Sequence, residues 1–77
     1  MSTAVNKYKI PSLHRDILID KCAGFDEFEI AYLYSLSAKS ILQIIDRTVC
    51  AILNIPIRHV DSHYIDVNKE IIFDALA

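Results

Sequence analysis

The fold is decided between residues 27 and 41, where the chain reads Glu27-Phe28-Glu29-Ile30-Ala31-Tyr32-Leu33-Tyr34-Ser35-Leu36-Ser37-Ala38-Lys39-Ser40-Ile41. Asp26 with Glu29 three residues later makes a capping box, and Phe25 before the cap is positioned to staple onto Ile30, so a helix begins at Glu27. From there to Asn54 the chain holds neither glycine nor proline, and two readings stand open. In one, residues 27–54 form a single helix roughly 42 Å long at 1.5 Å per residue. Such a helix is apolar over most of its circumference, like the middle of an oligomeric bundle. In the other, Ser35-Leu36-Ser37 interrupts it. Serines compete with helical hydrogen bonding, and Ser37 is placed to cap a new helix from Ala38.

The interrupted reading meets the demands of a helix-turn-helix in sequence order. Ala31 supplies the small residue where the second helix crosses the first, and Ile30, Tyr34, Leu36, Ile41 and Ile44 supply the apolar positions around it. Ser35 takes the tight-turn position, usually a glycine, and Ser37 caps the second helix. The outward-facing set on that helix is Ala38, Lys39, Gln43, Asp46 and Arg47, with Ser40 beside it, and the residues expected to face a ligand are Ser37, Lys39, Ser40, Gln43 and Arg47. Double-stranded DNA is the ligand such a set suits. Gln43 has the two-pronged amide that reads an adenine edge, while Lys39 and Arg47 suit phosphates. Two cations beside an acid give weak non-specific binding and a shallow salt dependence. Specific binding then requires a dimer presenting two such helices one DNA turn apart.

Upstream, Pro11-Ser12 opens a helix with Ser12 as its expected N-cap, and Leu13, Ile17 and Leu18 with Lys21 or Cys22 recur at helical spacing. Gly24 closes it in the left-handed position. Downstream, Asn54-Ile55-Pro56 ends the second half of the motif, because the residue before proline is pushed out of the helical region. Residues 56–65 read as irregular, and Asp66 is the expected cap of a last helix from Val67 to Leu76. The apolar side of that helix, Ile71, Ile72 and Leu76, is the expected oligomer interface. Residues 1–9 are polar and short-sided, a flexible arm anchored at Ile10, and residues 10–77 form one helical domain. The expected fold class is therefore all-α, a small bundle with a central helix-turn-helix and a C-terminal dimerisation helix.

The pattern extends beyond the motif. Ile10, Arg15-Asp16, Ile17-Leu18, Gly24, Glu29-Ile30-Ala31, Leu36-Ser37 and Lys39-Ser40-Ile41 follow one another as in the LuxR/GerE-type helix-turn-helix domain, which residues 10–53 resemble. The segment resembles, more distantly, the C-terminal helix-turn-helix of sigma factors. The resemblance implies transcriptional control through DNA, with the last helix as dimer contact. The chain departs from the family at Leu42 and Ile44, where a basic residue and a histidine are usual, and in the longer connection containing Pro56.

Composition bounds the rest. Of 77 residues 53% are apolar, against roughly 45–50% in ordinary globular chains, and a chain this short buries only about 60% of its unfolded surface. Some apolar surface is therefore expected to meet a partner: a second copy, another regulatory protein, or both. A net charge of −2 and a pI near 5.8 argue against a globally basic nucleic-acid coat protein. Cys22 and Cys50 lie in separate apolar contexts and read as free thiols. No signal-length or membrane-length apolar run occurs, so a cytoplasmic location is expected. His59, Asp61, His63 and Asp66 alternate ligand-type side chains, yet a polar surface loop explains them and no metal is expected. The aromatics Phe25, Phe28, Tyr32 and Tyr34 read as core and dimer anchors. No phosphate loop, activated nucleophile or carboxylate pair points to an enzyme or a cofactor. The expected function is a small dimeric DNA-binding regulator without a sensor domain. The alternative is a helical homo-oligomer that regulates or inhibits a partner protein.

Overall fold

In the computed structural model, which describes residues 10–77, the chain is all-helical: α1 (Ser12–Cys22), α2 (Glu27–Tyr34), α3 (Ala38–Leu53), α4 (Ser62–Val67) and α5 (Lys69–Leu76). The arm expected over residues 1–9 lies outside the described residues.

Helix starts follow side-chain chemistry. Asp26 and Glu29 form the capping box, the Glu29 amide donating to Asp26 Oδ1 at 2.8 Å and the Asp26 amide to Glu29 Oε1 at 2.9 Å. Ser37 caps α3, accepting from the Ser40 amide at 3.1 Å. Two expected caps differ. Ser12 lies inside α1 and the cap position falls to Pro11, which offers no side-chain acceptor. Asp66 lies inside α4, which begins four residues earlier because Asp61 accepts from the Tyr64 amide at 2.8 Å. The terminal segment is then interrupted at Asn68, whose side-chain amide donates to the Tyr64 carbonyl at 2.9 Å.

The first three helices end in one hydrogen-bond pattern. Phe25, Leu36 and Ile55 each donate five residues back, to the carbonyls of Asp20, Ala31 and Cys50. The residue before each donates three back, and each of these, Gly24, Ser35 and Asn54, is left-handed at φ 110°, 57° and 57°. This is the Schellman ending, which satisfies the orphan carbonyls of the last turn. The helix before Pro56 therefore ends by its own C-terminal motif at Asn54, one residue before the position that proline restricts.

Helix α3 is the axis of the molecule, packed by α1, α2 and α5. Its inward face, Ile41, Ile45, Thr48, Val49 and Ile52, recurs every three or four residues and meets Ile17 and Leu18 of α1, Ile30 and Ala31 of α2, and Ile72 and Leu76 of α5 in one cluster. Each such aliphatic side chain removed from water contributes on the order of 1.5–3 kcal/mol. The clip between α1 and the C-terminus is polar: Arg15 Nε donates to the Leu76 carbonyl at 2.9 Å. Among the described residues no buried side-chain nitrogen or oxygen lacks a hydrogen-bond partner.

Candidate nucleic-acid interface

The chain turns sharply at residues 35–37, so the single-helix reading of residues 27–54 is corrected. The reason is local. Ser35 adopts φ 57°, ψ 41°, and Ser37 is extended at φ −77°, ψ 154°, which no helix can pass through. Ala31 is buried on α2, where α2 packs against α3.

On α3, Lys39, Gln43 and Arg47 stand exposed at four-residue spacing, one stripe about 12 Å long. None of the three is held by a hydrogen bond or ion pair from the described residues, so their donors face solvent. Ser37 and Ser40 belong to the start of the helix. The Ser37 hydroxyl accepts from the Ser40 amide and donates to Ser40 Oγ at 3.0 Å, so both serines are already engaged with each other.

Asp46, expected on the outward face as a charge repelling phosphate, is turned away from it. Its side chain is only 17% exposed, accepting from the Val60 amide at 3.0 Å and lying 3.4 Å from His59 Nδ1. The carboxylate is spent on holding the 54–61 loop against α3. Leu42 and Ile45 line a small cleft of about 260 Å³ with Lys21, Glu27 and the loop residues His59 and Val60. Ile44 packs half-buried against the core. The outer face of α3 is left polar.

Burial and helix placement sort three further sets of residues. Ile72 and Leu76, expected in an oligomer interface, are 0% and 4% exposed in the chain's own core because α5 lies against α3. Only Ile71 of that set is exposed, as are Val67 and Phe73 elsewhere on the last two helices. Of Phe25, Phe28, Tyr32 and Tyr34, Tyr34 packs against the core, its hydroxyl donating to Asp20 Oδ2 at 2.7 Å, and the other three are exposed. Their helix is held by Ile30 and Ala31, which fill its inner face. The histidine and aspartate alternation at residues 59–66 needs an extended strand to converge, and that stretch is helical from Ser62, with Asp61 used as its cap. Among the described residues no group of three ligand side chains is gathered.

Both cysteines are free. Burial pushes the Cys22 thiol up, against a smaller opposing pull from Lys69, and Cys50 Sγ lies 3.6 Å from the Arg58 carbonyl. Among the described residues no helix is long and apolar enough to cross a membrane. The Asp46 clasp and the Tyr34–Asp20 bond join residues 14 apart in sequence and leave no local signal; the exposed aromatic face of α2 was legible as an apolar excess but not as a position. No family model, curated protein or solved structure matches this chain.

Proposed function

We propose that the protein is a small helix-turn-helix regulator that binds double-stranded DNA as a dimer through α3. The observation that carries this reading is the left-handed turn at Ser35, followed by a helix whose exposed Lys39, Gln43 and Arg47 make no hydrogen bond or ion pair among the described residues. Gln43 addresses a base edge in the major groove while Lys39 and Arg47 hold phosphates on either side. Ser37 and Ser40 act at one remove, fixing the first turn of the helix. The start of α2 carries Asp26, Glu27 and Glu29 and lends no phosphate contact, so affinity rests on α3.

Two phosphate contacts per protomer imply a slope of log affinity against log salt of roughly −2, doubling to about −4 in a dimer on two half-sites. Pairing of protomers falls to the outward apolar residues of the last two helices, Val67 and Ile71. The mode of action is occupancy of a control site in the cytoplasm, with no cofactor and no chemistry on the DNA.

The test is fluorescence anisotropy on a labelled duplex from upstream of the protein's own gene, across a salt series. Lys39→Ala and Arg47→Ala are expected each to lower affinity and flatten the salt slope by about 1 per protomer, whereas Gln43→Ala lowers it on the preferred sequence by about 1–3 kcal/mol with the slope intact. A flat titration at high micromolar protein would leave the second reading, a helical homo-oligomer that regulates a partner protein without DNA, which draws on the apolar side chains left exposed on α2 and α5.

A further inference from the structure

We infer that the outer face of α2 is a docking surface for a basic amphipathic helix of another protein. Phe28, Tyr32 and Leu33 are 69%, 86% and 58% exposed, and with Phe25 and Glu29 they line an open groove of about 460 Å³. Single exposed apolar residues are ordinary, but a contiguous cluster of Phe28, Tyr32 and Leu33 on a two-turn helix, with Phe25 just before it, is the kind of patch that marks an interaction site. The fold makes no use of it: α2 turns Ile30, Ala31 and Tyr34 inward, and the groove lies on the opposite side.

The shape selects a helix. Among the described residues there is no strand, so no sheet edge is on offer for an extended peptide. Residues at four-residue spacing, Phe28 with Tyr32 and Glu29 with Leu33, instead form ridges, and the furrow between them takes the side-chain ridge of another helix. A partner supplying apolar anchors at one and two turns' spacing matches the length of α2, about 12 Å.

Charge selects the sign. Glu29 lines the groove, Asp26 caps the start of its helix, and no lysine or arginine occurs between Lys21 and Lys39. An incoming helix with Lys or Arg beside its apolar stripe meets a complementary rim. A second copy does not. Pairing α2 with α2 brings Glu29 to Glu29 with no lysine or arginine on either helix to offset it. The surface lies on α2 and stands whether or not α3 meets DNA.

The test uses the full chain and two synthetic helical peptides with the same leucine spacing, one with lysine and one with glutamate at the polar positions. The lysine peptide is expected to bind, to perturb amide resonances of residues 25–33, and to weaken with added salt. Phe28→Ser with Tyr32→Ser is expected to weaken it at least tenfold while the thermal midpoint and helical circular dichroism hold, since both side chains are exposed; Leu33→Gln is the independent variant should that pair unfold. The inference is overturned if the lysine peptide fails to bind, perturbs another face, binds these variants undiminished, or is matched by the glutamate peptide. Self-association that Phe28→Ser abolishes overturns it in favour of a second copy.

Discussion

Ser35 holds a backbone conformation at φ 57°, ψ 41° that costs an L-residue roughly 1–2 kcal/mol, and the whole motif depends on it. Ser35→Gly is expected to raise unfolding free energy by up to about 1 kcal/mol, the relief of that strain being partly offset by the freer unfolded chain. Ser35→Val, β-branched in the left-handed region, is expected to lower it by about 1–2 kcal/mol; urea melts of the two variants read the difference. Tyr34 makes a second prediction. Its hydroxyl donates to Asp20, and because that bond needs the proton, its pKa is pushed up to about 12. The folded value lies above the ordinary value of about 10, so the stabilisation is fully present below pH 10 and is lost as pH rises through 12. Tyr34→Phe is expected to cost about 1 kcal/mol at neutral pH and to flatten the alkaline limb of the stability profile.

At the scale of the elements, what the sequence disclosed was what local chemistry controls. The capping box at Asp26 and Glu29, the turn at Ser35 and the cap at Ser37 each lie within a few residues of the groups they bond, so α2 and α3 start where the sequence predicts. Asp26→Ala is accordingly expected to destabilise by about 1 kcal/mol, measured by thermal melting. The C-terminal third was less legible. Asp61 and Asp66 are both plausible caps, and the choice between them depends on Val60 and Ile65 reaching the core, a tertiary fact. Ile72 and Leu76 show the same limit: an apolar stripe announces burial but does not name the surface that buries it, and here that surface is α3 of the same chain. On α3 itself the outward stripe was legible from spacing, whereas the removal of Asp46 from it was not. Breaking that clasp with Asp46→Ala frees the 54–61 loop and uncovers Leu42 and Ile45; a loss of about 1–3 kcal/mol in unfolding free energy is expected.

At the scale of the whole molecule, the fold divides its surface between two opposite chemistries. Helix α3 carries unengaged donors on a polar face, and α2 carries an aromatic face edged by the Glu29 carboxylate. In the proposed function the first face meets DNA, and in the further inference the second meets a protein. The most direct test of the central claim is an amide-resonance titration of the labelled protein with duplex DNA at low salt. Perturbations are expected to gather on residues 37–47, led by Lys39, Gln43 and Arg47, and to be absent from residues 28–33. Unchanged spectra at millimolar duplex, or perturbations centred on any other helix, would contradict the claim.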